Sequence, residues 1–270
     1  MDLHTIDSVL IARDRADLSG LGAADGLMAG GTWLMSQPQP GLRRLVDLTG
    51  MRWPDVIRSA QGLEVAATCS IERLINASYP PEWEAVNLFG QCARALLASF
   101  KIWRTATVGG NICLGLPAGA MISLCAALDA ELTIWRGDGT DERCAITEFV
   151  TDINETVLRP GDVLRAITFP SAALSQPAVL RKIAYSALGR SGALVTGRLD
   201  GTGIVLGITA ATRRPIVLRV PADAEQAHDA AAAIPGAQFH SDAHGTAAWR
   251  RAVTRQLARE VADELTSWRS

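Results

Sequence analysis

Apolar and polar positions along the first half of the chain alternate in a way that predicts both strands and helices. Apolar residues at helical spacing predict a helix over residues 82–99, and the apolar stretch over 117–128 predicts a buried helix. Residues 103–111, between these two helices, are predicted to be a loop. Strand-like runs occupy residues 45–48, 63–67 and 130–135, and a short strand followed by a helix is predicted within residues 4–20.

The pattern changes after residue 170. Residues 171–176 are small and polar, which makes them the best candidate for a linker. Strand-like runs then occupy residues 179–185, 192–199, 203–211 and 215–220, and helical patterns follow over 222–234 and 243–266. A run of strands before two helices predicts an α+β fold, with two domains at residues 1–172 and 173–270.

Composition excludes several classes of protein. Of the 270 residues, 48% are apolar and 20% are charged, which excludes wholesale disorder. The formal net charge of −2 argues against nucleic-acid binding, which requires a basic excess. The first 17 residues are too polar for a signal peptide, and no apolar run approaches the length of a membrane span. We therefore expect a cytoplasmic protein without a transmembrane segment.

Five cysteines are scattered along the chain, at positions 69, 92, 113, 125 and 144, and no C-x-x-C pair occurs. This spacing supports neither a disulfide framework nor a zinc or iron–sulfur site. His240 and His244 have a spacing that metal ligands use, but no set of further ligands accompanies them. A helix start with Asp242 near the cap is the simpler interpretation.

Two glycine pairs interrupt apolar surroundings and are the candidate binding elements. The first segment comprises Leu27, Met28, Ala29, Gly30, Gly31, Thr32, Trp33 and Leu34, and the second comprises Thr107, Val108, Gly109, Gly110 and Asn111. Glycines allow backbone N–H groups to approach a phosphate closely, so two such segments together suit a dinucleotide. Neither segment is G-x-G-x-x-G or a P-loop, and either alone is equally explained as a turn.

The order and spacing of these two segments resemble the FAD-binding medium subunit of molybdenum hydroxylases, the family of xanthine dehydrogenase and carbon monoxide dehydrogenase. The family has A-G-G-T-D-L and T-I-G-G-N-I at these places. The likeness covers nearly the whole chain and continues through Pro117, residues 128–131, residues 160–164 and residues 181–184. It also includes Ala243, His244 and residues 249–251 near the end.

The resemblance implies a two-domain flavoprotein. Its amino-terminal α+β domain would bind FAD in the manner of the vanillyl-alcohol-oxidase (PCMH-type) fold, and a smaller carboxy-terminal domain would combine an antiparallel sheet with helices. The first segment would then wrap the FAD pyrophosphate, and the second would form the opposing loop. The resemblance further implies FAD contacts at Leu97, Ala120, Leu164 and Lys182, with Leu164 on the flavin side.

Three positions depart from the family pattern. Ala120 stands where the family has an aspartate that accepts hydrogen bonds from the cofactor. Trp33 replaces an aspartate or small polar residue, and Thr105 replaces an asparagine before the second segment.

Several of these residues have plain structural interpretations as well. Lys182, one of only two lysines beside Lys101, suits either a cofactor contact or a solvated edge strand. Trp33 and Trp103 border the glycine segments and either shield a cofactor or pack in a core or interface. Cys113 is expected to be a small buried hydrophobe, and Arg250 and Arg251 are expected to be solvated or interfacial.

The resemblance implies an oxidoreductase subunit that carries FAD and no catalytic or metal-ligating residue of its own. Substrate would be hydroxylated at a molybdopterin centre on a large subunit, and electrons would pass through two [2Fe–2S] clusters on a small subunit to FAD. FAD would then reduce NAD, a quinone or oxygen, within a heterotrimer that forms a dimer of heterotrimers. Two alternatives remain: a subunit that has lost FAD and serves as a scaffold, which Ala120 favours, and a free-standing flavin-dependent oxidoreductase.

Overall fold

The computed structural model of the protein describes residues 3–96, 98–186 and 189–268. Leu97, which the resemblance assigns to the cofactor, lies outside the described residues. The chain begins with a parallel sheet in the order β1-β3-β2. Its strands are β1 (Ser8–Ile11), β2 (Asp25–Met28) and β3 (Arg44–Asp47), and one 3₁₀ turn follows each, at Arg15–Leu18, Leu34–Ser36 and Leu48–Met51.

A second, antiparallel sheet has the order β4-β5-β10-β6-β7. Its strands are β4 (Val56–Ser59), β5 (Gly62–Ala66), β6 (Glu131–Trp135), β7 (Asp141–Ala145) and β10 (Val163–Pro170). A small pair, β8 (Val150–Asp152) with β9 (Glu155–Thr156), precedes β10. Apolar side chains of both sheets, including Val46 and Val163, meet in a small core between them.

Helices cover the antiparallel sheet and form the main core with it. They are α1 (Ile71–Asn76), α2 (Asn87–Ala95), α3 (Phe100–Thr105), α4 (Val108–Cys113), α5 (Ala120–Ala127), α6 (Ile146–Phe149) and α7 (Ser171–Leu174). All eight residues of α5 are buried, as the apolar run predicted. A helix that is apolar on every side must be covered on every side, and the last part of the chain supplies the missing cover.

That last part is an antiparallel meander, β11-β12-β13-β14, with two helices on one face. Its elements are β11 (Ala178–Ile183), β12 (Ala193–Asp200), β13 (Gly203–Thr209), β14 (Ile216–Pro221), α8 (Ala224–Ala232) and α9 (Ala247–Ser267). Polar contacts join the sheet to α5: Ser123 Oγ lies 2.6 Å from Thr209 Oγ1, and Arg198 donates to the Ala127 carbonyl oxygen at 3.0 Å. The α+β fold class predicted from the sequence is confirmed.

The structure corrects three local predictions. The predicted loop over 103–111 is largely helical, because Thr107 caps α4 by accepting a hydrogen bond from the Gly110 N–H. The predicted linker over 171–176 contains α7, whose Ala173 and Leu174 are buried in the main core. The predicted helix over 82–99 is a 3₁₀ turn at Glu84–Val86 followed by α2, which ends at Ala95.

The segment before α9 also differs from expectation. Thr246, and not Asp242, is the cap of this helix. Asp242 instead accepts hydrogen bonds from the His244 N–H and from Arg250, whose side chain is 1% exposed. The expectation of a solvated or interfacial Arg250 was therefore wrong. None of the helices in the described ranges has the length and apolar character needed to cross a lipid bilayer.

Candidate functional site

Two cavities share a wall between the two sheets and α4. The first has a volume of about 480 Å³ and the second about 440 Å³. Both are lined by Leu27, Ala29, Gly110 and Cys113, so they form the two halves of one groove. Small-molecule sites typically have volumes of roughly 300–1,000 Å³, so each half alone is of ligand size.

The first glycine segment forms one wall of this groove. It leaves the sheet where β2 ends at Met28 and turns at Gly31, whose φ is +66°. At Gly30, an added Cβ would stand 1.8 Å from the carbonyl oxygen of Thr105. Glycine is therefore required at position 30 because the two backbones touch there.

The backbone N–H groups of this segment are available to a ligand. Within the ranges that the structure describes, the five consecutive N–H groups of residues 30–34 have no acceptor in the protein. Their carbonyl groups behave differently: the oxygens of Gly31 and Trp33 accept from Met35 and Ser36 at 2.9 Å. Because all five residues line the second cavity, these donors suit an anion bound in the groove.

The second glycine segment contributes in another way. Its N–H groups are satisfied within the protein: Val108 donates to Cys69 and Gly109 to Ala67, each at 2.9 Å, and Gly110 donates to Thr107 Oγ1 at 3.1 Å. An added Cβ on Gly109 would meet the Ala67 side chain at 2.4 Å. This segment therefore fixes α4 against the end of β5, and the unoccupied N–H donors beside the groove belong to the first segment.

Asn111 supplies a directed donor to the second cavity. Its Oδ1 accepts from the Met121 N–H at 2.9 Å, which ties α4 to the start of α5. This bond fixes the orientation of the side-chain amide, so Nδ2 is the remaining polar atom. Asn111 is 8% exposed and lines the cavity, and Nδ2 has no acceptor among the described residues. The amide is positioned to donate to an oxygen of a ligand.

A buried ion pair stabilises the far wall of the first cavity. Asp162 accepts from Arg136 at 2.5 Å and from the N–H groups of Arg159 and Gly137 at 2.8 and 3.0 Å. Burial by itself raises the pKa of Asp162, but these donors outweigh it and hold the pKa below its ordinary value. Leu164 lies two residues further along, 3% exposed, in the same wall.

The groove has no reactive thiol or metal cluster among its described residues. Cys113 lines both cavities, but burial raises the pKa of its thiol to about 12, so the thiol stays protonated. No group of three or more His, Cys, Asp or Glu side chains in the described ranges is arranged to hold a metal ion. The structure thus supplies a groove for binding and orienting a ligand.

The groove gathers most of the residues that the sequence singled out. Residues 27–34, Thr107, Gly109, Gly110, Asn111 and Leu164 all line the groove. Within the first segment, Leu27 and Ala29 line both cavities, and the other residues line only the second. Val108 is fully buried behind them. Ala120 is 1% exposed at the start of α5 and lines neither cavity. Lys182 is exposed on β11 and lines a separate depression with Arg94 and Ala95, next to Leu96 of the second cavity.

Several lining residues carry no signal in the sequence. They come from six separate stretches of the chain and comprise Gly22, Ala23, Asp25, Leu48, Ala67, Thr68, Ala98, Ile102, Ala106, Leu114, Leu116 and Arg159. Most are small or aliphatic and follow the end of a strand or helix. Only a prediction of which strand ends meet would have identified them.

Comparisons with known proteins agree with this geometry. A family model described as the FAD binding domain in molybdopterin dehydrogenase matches residues 14–172. No curated protein sequence matches the chain. Among solved structures, CO dehydrogenase from Oligotropha carboxidovorans is similar, with a TM-score of 0.83, 20% identity and 99% of each chain covered.

Two further structures show the same fold. Quinoline 2-oxidoreductase from Pseudomonas putida 86 has a TM-score of 0.81 at 18% identity, and CO dehydrogenase from Hydrogenophaga pseudoflava has 0.80 at 21%. Each likeness covers 99% of this chain and 99% of the other. Because the family model spans more than half of the residues, the chain belongs to the family of FAD-binding domains of molybdopterin dehydrogenases.

Proposed function

We propose that this protein is the FAD-carrying electron-transfer subunit of a molybdenum hydroxylase complex. In this proposal a [2Fe–2S] small subunit supplies electrons, a molybdopterin-binding large subunit hydroxylates the substrate, and NAD, a quinone or oxygen is the final acceptor. The observation that carries the proposal is the run of five free N–H groups at residues 30–34 beside a groove of dinucleotide size.

The residues of the groove fit FAD. A pyrophosphate needs several N–H donors close together, and residues 30–34 present five consecutive ones that no acceptor in the described part of the chain occupies. Asn111 offers Nδ2 to a further oxygen. Leu27 lines both halves and Leu164 lines the first, so aliphatic surface is available to the rings of the cofactor.

The chain's own part is binding and orientation. When bound, FAD supplies the capacity to accept and release electrons. The charged side chains that line the groove are Asp25, Arg159 and Asp162. Asp25 is paired with Arg44 at 2.6 Å, and Asp162 is paired with Arg136. Both carboxylates therefore stabilise the walls of the groove through ion pairs. We propose no acid–base residue here.

Flavin content tests the proposal directly. We expect the purified complex to contain about one FAD per chain, measured by absorbance and by chromatography of the released nucleotide, and we expect the absorbance to bleach when substrate is added. A colourless, flavin-free preparation of the intact complex would contradict the proposal and would favour the scaffold alternative. Turnover by the isolated chain with an external acceptor would favour the free-standing oxidoreductase.

Ala120, which stands where the family has an aspartate, allows a second test of FAD binding. Ala120 is buried at the first turn of α5. Its neighbour Met121 donates its backbone N–H to Asn111 Oδ1. If the missing carboxylate has abolished binding, Ala120→Asp restores FAD to a flavin-free chain. If the groove is sufficient, as we propose, the unchanged chain already holds FAD.

We also propose that residues 1–172 form the FAD-binding domain and residues 173–270 a separate carboxy-terminal domain. The end of the family match at 172 and the start of the meander at Ala178 support this division. We likewise propose a cytoplasmic location, a dimer of heterotrimers and a contact between Lys182 and the cofactor.

A further inference from the structure

Arg165 interrupts the regular pairing of the antiparallel sheet. Leu164 and Ala166 of β10 lie opposite consecutive residues of β6, so Arg165 is an extra residue with no partner on that strand. A β-bulge of this kind bends its strand and redirects the side chains beside it. The two residues just before the bulge, Val163 and Leu164, are buried and line the first cavity. The bulge therefore lies directly beside a wall of the groove.

The side chain of Arg165 is held by two tryptophan rings. Its guanidinium carbon lies 4.5 Å from the centre of the Trp53 ring and 5.7 Å from the centre of the Trp135 ring. The two rings meet edge to face, with their centres 5.4 Å apart, and both pack against the small core between the two sheets. Because a cation is attracted to an aromatic face, these contacts tie the bulge to that core.

The same placement leaves one hydrogen-bond donor of Arg165 unused. Its Nη1 is buried and has no acceptor among the described residues, and its Nη2 lies 3.7 Å from the Glu64 carboxylate. Burial lowers the pKa of the guanidinium, against the opposing effect of Glu64. A buried donor without an acceptor costs stability, so an apolar side chain of similar length would suit the fold of the sheet about as well.

The backbone of Arg165 links the bulge to the second glycine segment. Its carbonyl oxygen accepts a hydrogen bond from the Ala67 N–H at 3.0 Å, just after β5 ends. The Ala67 carbonyl oxygen in turn accepts from the Gly109 N–H at 2.9 Å. Ala67 and Gly109 both line the first cavity. The position of the bulge therefore fixes Leu164 and the start of α4 relative to each other.

We infer that Arg165 is a positioning residue for the cofactor in the groove. Held by Trp53 and Trp135, it fixes the bulge and thereby aligns Leu164 and Ala67, while Arg165 itself lines neither cavity. This inference rests on the proposed function, since it takes FAD as the ligand of the groove.

The experiment uses the full chain, freed of flavin, with FAD as the probe. Arg165→Met keeps an apolar stem beside the rings and removes the charge, whereas Arg165→Lys keeps the charge and loses the planar guanidinium. Arg143→Met is the matched control, because Arg143 lies on β7 of the same sheet with a side chain 70% exposed and paired with Glu131. FAD titration measures affinity, visible circular dichroism of the bound flavin reports its orientation, and thermal unfolding of the flavin-free chain measures stability.

We expect Arg165→Met to weaken FAD binding roughly tenfold or more, the size of effect known for residues that orient metal ligands, and to change the dichroism of the bound flavin. Arg165→Lys should retain part of the affinity, because an ammonium group is also attracted to an aromatic face. The melting temperature of the flavin-free chain should change by less than about 4 °C in either variant, since losing the ring contacts is offset by losing the unused donor.

Two results would overturn the inference. In the first, Arg165→Met binds FAD with the same affinity and dichroism as the Arg143→Met control. In the second, FAD affinity and the melting temperature of the flavin-free chain fall together in both Arg165 variants, which would assign Arg165 to general stability alone. A wild-type chain that binds no FAD contradicts the proposed function itself, so the two failures are distinguishable.

Discussion

Gly30 touches the backbone of Thr105 so closely that a single added Cβ would stand 1.8 Å from the Thr105 carbonyl oxygen. This contact holds the first glycine segment against the chain that leads into α4. The free N–H groups of residues 30–34 depend on it for their position in the groove.

Gly30→Ala should therefore separate the first segment from residue 105. We expect FAD content to fall at least tenfold and the free energy of unfolding to drop by about 1–3 kcal/mol, as for other overpacked sites. Flavin absorbance and urea unfolding measure the two effects. Gly41→Ala is the matched control, since an added Cβ there meets nothing within 4 Å. Equal FAD content in both variants would contradict the prediction.

Asn111→Asp tests the directed donor. The variant keeps an oxygen for the Met121 N–H but replaces Nδ2 with a second carboxylate oxygen, which repels ligand oxygens. We expect FAD affinity to fall by roughly 10–100-fold, as for a lost hydrogen bond to a charged group, while the melting temperature changes little. Titration of the flavin-free chain with FAD, followed by tryptophan fluorescence, provides the measurement. Asn87→Asp on α2 is the control, and unchanged affinity at position 111 would exclude the assigned donor.

Arg250 should be among the most important residues for stability in the carboxy-terminal part. It is 1% exposed and donates to the carbonyl oxygens of Gly192, Ala210 and Gly245 and to the Asp242 carboxylate. Arg250→Met leaves three carbonyl oxygens of buried residues unpaired and removes the cation beside Asp242, so we expect a loss of about 3–5 kcal/mol in unfolding free energy.

Arg251→Met is the matched control for this change, because Arg251 is exposed on the same helix. Among the described residues, its guanidinium donates only to the Ala232 carbonyl oxygen, at 2.9 Å. Its loss should change unfolding free energy by less than about 1 kcal/mol. Similar losses in the two variants would refute the role assigned to Arg250.

His240 should make stability depend on pH. Burial lowers the pKa of this imidazole from its ordinary value of 6.5, and the charge of Arg250 lowers it further, against the opposing effect of Asp242. The unfolded chain therefore binds a proton more readily than the folded chain. Stability is full above pH 6.5 and declines as the pH falls from 6.5 towards the folded pKa.

Melting temperatures between pH 8 and pH 5.5 check this prediction. His240→Asn should flatten the decline, and His228→Asn on α8 is the comparison variant. An identical slope in the His240 variant and the wild type would contradict the assignment.

Local patterns in the sequence identified most elements. The apolar run at residues 117–128 predicted a buried helix because no face of it carries charge, and α5 is buried throughout. The four strands of the meander were predicted close to their observed ends because apolar runs separated by turn residues are local signals. The scattered cysteines excluded a metal framework for the same reason: spacing is visible in one dimension.

The sequence did not distinguish the roles of the two glycine segments. Both read as loops with free donors, yet the N–H groups of Val108 and Gly109 are occupied by Cys69 and Ala67. Those acceptors lie about forty residues earlier in the chain, beyond the reach of any local pattern.

The sequence by itself determined the α+β class, the order of the elements and the two glycine segments that line the groove. Tertiary structure decided which N–H groups remain free, because hydrogen bonding of a backbone group depends on the acceptor that folding brings to it. It also decided that Arg250 is buried and that Trp33 and Ile102 line the same cavity. These properties depend on distances between segments far apart in the chain, which only the packed fold fixes.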